Sequence, residues 1–250
     1  MTYIKVISSS SAGNGYLLVS NHKTLLLELG CKPLEYYSLA DGTIIGSIVS
    51  HWHDDHLNKS TVKTMLHRGV PVYIGEKVYE GVFDQIAASV PQGDIYGVKR
   101  LLTASKTDVG GFTIQPFEVV HNVPNYGFLI ETPSGERIVF ITDAIECKYR
   151  FKDIDCIMVE CNHDDDTLLD NLAENEVSPS HPENHLGLSD CIAFCKANMN
   201  PHLKQVILIH LSHQNINESY AHTEVRAALP GVPVAVAHPD DRFIIENDKF

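Results

Sequence analysis

Positive charge is scarce in this chain of 250 residues: Lys and Arg number 19 against 32 Asp and Glu, a formal net charge of −13. That balance excludes the broad basic surface with which proteins clamp duplex DNA or anionic lipid through many phosphate contacts. Long apolar runs are missing as well. No stretch approaches the roughly 18 apolar residues that span a bilayer, and the opening MTYIKVISSSS has neither the basic nor the apolar segment of a secretory signal. The expectation is a cytoplasmic protein with no membrane partner. None of the six cysteines (Cys31, Cys147, Cys156, Cys161, Cys191 and Cys195) forms a CxxC pair. A chain that can build a sizeable core needs no covalent staples, so reduced and mostly buried thiols are expected, with Cys191 and Cys195 packing on a helix. No Pro/Gly-rich linker, internal repeat or charge block marks a boundary, and residues 1–250 are read as one domain.

Apolar residues, at 44%, suffice for a globular core, and 14 histidines nearly match the basic residues in number. Neutral imidazole is the commonest protein metal ligand, so the composition already hints at metal. Extended patterns rich in Ile, Val and Leu cover 3–8, 15–20, 23–29 and 43–50, read as a meander, and return at 72–74, 112–120, 126–131, 137–142, 154–160, 205–209, 232–237 and 242–245. Helical spacing covers 59–68, with Asn58 as its cap, then 76–89, 167–175, 189–197 and 218–228. The order predicts two sheets packed face to face with helices outside, a four-layer αβ/βα sandwich of mixed α/β (α+β) class. The polar run 174–187 is a candidate active-site lid.

The most specific local signal is His51-Trp52-His53-Asp54-Asp55-His56, directly after the apolar run 44–50. A strand end followed by a tight loop projects alternate side chains in a common direction. His51 and His53 can therefore face one metal, while Asp55 and His56, after the chain turns, face another. Trp52 between them packs under the loop or lines the cleft. The Ser8–Ser11 run with Gly13 and Asn14 reads as a turn between two strands.

This HxHxDH pattern resembles the signature of the metallo-β-lactamase superfamily, matched in full by His51, His53, Asp55 and His56. The resemblance implies that fold and three further ligands at strand ends: His121, Asp143 as the bridging carboxylate, and His210, for which His213 is the rival. A narrower resemblance, to the YycJ/WalJ-like subgroup related to the RNase Z and RNase J nucleases but without a β-CASP insert, rests on four segments. These are Ser8 to Asn14, Val159 to Asp164, His185-Leu186-Gly187-Leu188-Ser189, and His210-Leu211-Ser212 with Asn215. The chain departs from the family at Glu28, usually Asp, at Asn122 after His121, and in the HLGLS spelling of the lid.

The resemblance implies two divalent ions, Zn with Mn or Fe as alternatives. His51, His53 and His121 would hold one, Asp55, His56 and His210 the other, with Asp143 between them. Such a pair activates a bridging hydroxide for hydrolysis. Asp55 is expected to orient that nucleophile, and His185, or next His163, to protonate the leaving group. Lys59 and Lys63, with His67 at i, i+4 and i+8, suggest a short phosphate track, and Asn125, Tyr126 and Asn162 flank predicted ligand loops as candidate substrate contacts. The leading expectation is a phosphodiesterase or nuclease acting on DNA or RNA. Hydrolysis of a small substrate (cyclic nucleotide, lactone or thioester) stands second, a metal-stabilised binding module third, and a homo-oligomer is possible in each case.

Overall fold

A computed structural model describes residues 1–174 and 184–245. Three antiparallel strands open the chain, β1 (Thr2–Ser10), β2 (Gly13–Ser20) and β3 (Lys23–Leu27), joined at the serine-rich turn as expected. The meander stops there. β4 (Thr43–Val49) lies parallel to β3 because a helix that the sequence reading missed, α1 (Pro33–Leu39), carries the chain across. Seven residues are too few for a periodic signal. Pro33 starts the helix, and the Glu35 carboxylate accepts the Lys32 backbone N–H at 2.7 Å.

α2 (Lys59–His67) and α3 (Glu76–Ser89) lead to the parallel strands β5 (Val72–Gly75) and β6 (Val98–Leu101). Asn58 caps α2 as expected, its side-chain oxygen accepting Ser60 and Thr61 N–H at 3.1 and 3.2 Å. With β14 (Arg242–Ile244) on the edge, this sheet runs β14-β1-β2-β3-β4-β5-β6. The second sheet comprises β7 (Thr107–Val109), β8 (Phe112–Val119), β9 (Asn125–Glu131), β10 (Arg137–Ile141), β11 (Cys156–Glu160), β12 (Gln205–Ile209) and β13 (Val234–Val236). Its strands are antiparallel from β7 to β10 and parallel from β10 to β13.

Side chains alternate between two cores. In β10, β11 and β12 the residues Ile138, Phe140, Cys156, Met158, Ile207 and Ile209 pack into the core shared with the first sheet. Their neighbours Val139, Ile141, Ile157, Val159, Val206 and Leu208 pack with α5 (Leu188–Ala197) and α6 (Glu218–Ala228), which follow α4 (Asp165–Ala173) along the chain. Strands covered on both faces read as unbroken apolar runs, which is why these were visible in the sequence. α1, α2 and α3 cover the first sheet, contributing Tyr36, Met65 and Val82 to its core. The result is the expected four-layer sandwich. All six cysteines are unpaired, and burial pushes the Cys31 thiol up to about 12. Among the described residues no helix is long and apolar enough to cross a membrane.

Candidate metal centre

The loops that follow β3, β4, β8, β10, β11 and β12 meet at one edge of the sandwich, where each ends on a residue with a metal-binding or hydrogen-bonding side chain. Three of these residues have left-handed backbones: Glu28 after β3 (φ 63°), Asp143 after β10 (φ 49°) and His210 after β12 (φ 53°). Non-glycine residues pay strain in that region, and such strain gathers at functional sites, where the surrounding contacts hold it. The loop after β4 closes through the His53 carbonyl, which accepts His56 and Leu57 N–H at 2.9 and 2.8 Å. Its outer side rests on Gly30, where an added Cβ would stand 1.8 Å from the Asp55 carbonyl oxygen. Trp52 packs on α3 at Gly81, where a Cβ would come within 2.5 Å of the indole.

Two sets of donor atoms converge there, and both contain Asp143. In the first, His51 Nε2 lies 3.0 Å from His53 Nδ1 and 3.6 Å from Asp143 Oδ2, and His121 Nε2 lies 3.3 Å from His53 Nδ1. In the second, His56 Nε2 lies 3.2 Å from Asp55 Oδ2 and 3.4 Å from Asp143 Oδ2, and His210 Nε2 lies 3.4 Å from Asp55 Oδ2. Donors about 2.0–2.2 Å from a tetrahedral zinc-like ion stand about 3.4 Å apart, so these separations suit a divalent ion.

The opposite ring nitrogens agree. His121 Nδ1 donates to the Asn184 carbonyl at 2.9 Å, His210 Nδ1 faces Glu160 Oε1 at 3.2 Å, and His56 Nδ1 faces Glu28 Oε2 at 3.5 Å. Oxygens that only accept keep the proton on Nδ1, so Nε2 presents its lone pair to the site. His51 Nδ1 meets Ser50 Oγ at 2.9 Å.

Electrostatics divides the two sets. Burial holds His51, His53 and His121 below the ordinary histidine range, His121 at about 4, so their lone pairs are available at neutral pH. Burial opposes charge on His210 too, but Asp143, Asp55 and Glu160 prevail and push it up to about 10; Asp143 likewise raises His56. Asp143 is buried and Asp55 half-buried, yet hydrogen bonds and charge from His210 and His56 keep both ionised. Without metal, protons on His56 and His210 take the cation's place. Loading metal must displace them, so apparent affinity is expected to rise with pH up to about 10, where His210 loses its proton, with proton release visible by calorimetry in buffers of different ionisation enthalpy. A pH-independent affinity would contradict this arrangement.

Glu160, absent from the expected site, organises it from behind. Fully buried, it accepts His185 Nδ1 at 2.7 Å through Oε1, and Ala144 N and Leu186 N at 3.1 Å each through Oε2. It thereby joins His210, His185, the chain after Asp143 and the base of the expected lid. Glu160→Gln keeps the shape but loses the charge, and is expected to weaken metal binding about 10–100-fold, measured by competition with a chromogenic chelator. Asn14 was also missed as a site residue. Its amide reaches His56 Nε2 and Asp55 Oδ2 at 3.1 and 3.3 Å.

Several expected residues take other places. Asn125 and Tyr126 are buried rather than open to substrate: the Asn125 amide donates to the Thr142 and Asp143 carbonyls, and the Tyr126 ring packs against Gly75 while its N–H donates to the Ser50 carbonyl. Asn162, also largely buried, donates to the His210 carbonyl at 3.0 Å and lines the cavity beside His210. These neighbours of the ligands clamp the ligand loops. His163 packs under Gly187, outside the donor groups, whereas His185 joins Asp143, Glu160 and His210 in a third group. His213 is exposed and in none of them. Lys59 and Lys63 are exposed on α2, but His67 at its end faces Asp94 at 3.2 Å, which shortens the expected track. Most of the expected lid, residues 175–183 with His181, lies outside the described residues.

Comparison with known proteins accords with this geometry. Over 234 residues the chain is 23% identical to exodeoxyribonuclease WalJ of Streptococcus pneumoniae, 87% of this chain and 84% of that protein. It is 28% identical over 156 residues to the uncharacterized protein ML1173 of Mycobacterium leprae, a match over 57% of this chain that spans about half of that relative, 55%. The metallo-beta-lactamase fold protein YhfI of Bacillus subtilis shares the architecture at a TM-score of 0.72, with 18% identity over 98% of this chain and 100% of that one. The beta-lactamase superfamily domain matches residues 36–211, a span that includes every donor from His51 to His210, and the chain belongs to that family.

Proposed function

We propose that the chain is a phosphodiesterase that cleaves DNA or RNA with two divalent ions, zinc foremost and manganese or iron as alternatives. The observation that carries this reading is the shared carboxylate: Asp143 Oδ2 lies 3.6 Å from His51 Nε2 and 3.4 Å from His56 Nε2, and so belongs to both donor sets. When bound, such a pair supplies Lewis acidity and a nucleophile at neutral pH. In the two donor sets the negative charge comes from Asp55 and Asp143, less than the positive charge of two divalent ions, so the cleft favours an anionic phosphodiester over a neutral amide. His185 lines the cavity beside His210, and its bond to Glu160 sustains a proton on the ring for the leaving oxygen. Lys59 and Lys63, just past the metal-binding loop, supply cations for neighbouring phosphates. The WalJ relative, an exodeoxyribonuclease by name, supports the choice of substrate.

The test combines elemental analysis with hydrolysis of bis(p-nitrophenyl) phosphate by the unmodified chain and by His53→Ala. Two ions per chain and turnover lost in the variant are expected. A chain that binds no metal, or turnover indifferent to the substitution, would remove the reading.

A further inference from the structure

Beside His210 the surface opens into two adjoining cavities, one of about 330 Å³ reaching Ser11, His185 and His210, the other of about 350 Å³ beyond it. They share Leu211, Ser212 and His213 and meet at the consecutive residues Ser10 and Ser11, so together they form a groove leading away from the second donor set. The far cavity is unlike a phosphate site. Among the described residues no Lys or Arg lines it, and its charged members Glu218 and His238 face each other at 2.8 Å. Leu211, Ile216, Val236 and Pro239 give it apolar surface, and Ser8, Ser10 and Ser212 give it hydroxyls. Ser9 is committed elsewhere, its Oγ accepting the His210 backbone N–H at 2.8 Å.

An anion would find no unpaired cation there, and an acyl chain would strand the hydroxyls. A flat, neutral heterocycle with polar edges uses both kinds of surface, and the volume falls within the range of small-ligand sites, about 300–1,000 Å³.

We infer that the cavity walled by Ser8, Ser10, Ile216 and Val236 is a nucleoside subsite, receiving the base and sugar next to the phosphate held at the donor sets. The inference rests on the phosphodiesterase reading and adds what is recognised: one nucleoside rather than a run of phosphates. It also accounts for how a chain of net charge −13 holds a nucleic acid. Enclosing one base against apolar side chains strengthens binding without any cation, and so with little dependence on salt.

The experiment compares three esters with the same p-nitrophenol leaving group: methyl p-nitrophenyl phosphate and the 5′- and 3′-p-nitrophenyl phosphates of thymidine. The unmodified chain is expected to favour one thymidine ester over the methyl ester at least tenfold in kcat/KM, mostly through KM. Val236→Trp, which fills the cavity, should bring that ester down to the level of the methyl ester while methyl ester turnover stays within about twofold. If Val236→Trp loses methyl ester turnover through misfolding, Pro239→Trp on the exposed rim makes the same comparison. Methyl ester turnover with no preference for either thymidine ester, or a preference that survives in the folded variants, would overturn the subsite and leave the phosphodiesterase standing. No turnover of any ester would remove the reading beneath it.

Discussion

Replacing Asp143 by alanine is expected to empty both metal positions and to lower phosphodiester hydrolysis at least about a thousandfold, on the order of 4 kcal/mol of transition-state stabilisation. Of all the donors Asp143 alone belongs to both sets, and with His210 it also joins the third group that holds Glu160 and His185. Its loss also leaves His56 and His210 without the carboxylate that most favours their charged forms. Buried cations deprived of a partner cost several kcal/mol, so the metal-free variant should melt well below the metal-free parent. Asp143→Asn separates charge from shape. Asparagine tolerates the left-handed backbone at this position, and the Asn125 amide still holds the carbonyl. Elemental analysis of both variants decides the point: two ions retained per chain would sink the shared-carboxylate arrangement.

Gly30→Ala is expected to destabilise the fold by about 3 kcal/mol or more, the scale of severe local overpacking, and to cost metal although Gly30 offers no ligand. The new Cβ would stand 1.8 Å from the Asp55 carbonyl oxygen and 2.7 Å from the Asn14 nitrogen, which are themselves hydrogen-bonded at 2.7 Å. Neither neighbour is a flexible side-chain tip. Relief requires the loop carrying Asp55 and His56 to lift away from the β1–β2 turn. Gly93→Ala is the natural control, because its backbone is right-handed and nothing lies within 4 Å of the added carbon. That change should be neutral, or stabilising by about 0.4–1 kcal/mol through the unfolded chain. Thermal unfolding of the two variants, with metal content measured alongside, tests the contrast.

Legibility in the sequence followed the reach of each interaction. His51 to His56 stood out because a single loop carries them. His121, Asp143 and His210 stood out only through family resemblance, since a lone polar residue at a strand end is unremarkable by itself. The roles of Glu28 and Glu160 could not be read, because each is defined by partners far along the chain: Glu28 by Ser50 and His56, Glu160 by His185 and His210. Sequence adjacency is a poor guide at Asn125 and Tyr126, which sit beside ligands but are buried and hold the loops, whereas Asn162 both donates to the His210 carbonyl and lines the cavity beside it. The unbroken apolar strands β10 to β12 were visible, whereas α1 and the short strands β6 and β7 offered too few residues to show a period. Missing α1 turned a parallel β3–β4 pair into a meander in the reading.

Each donor set draws on both halves of the sandwich. His51 and His53 follow β4 of the first sheet, while His121 follows β8 of the second; Asp55 and His56 belong to the first, and His210 to the second. Bound ions would therefore act as rivets across a seam that is otherwise joined by apolar packing and, at its far end, by hydrogen bonds such as Thr2 Oγ1 to Glu136 Oε2 at 2.8 Å. Tension along either sheet would be transmitted to the coordination bonds, so metal would stiffen the edge that carries the donors, while the opposite edge is held by the core and by those hydrogen bonds, that of Ser20 to Ser134 among them. In mechanical terms the sandwich is a pair of plates whose metal clasp would sit where the donors converge.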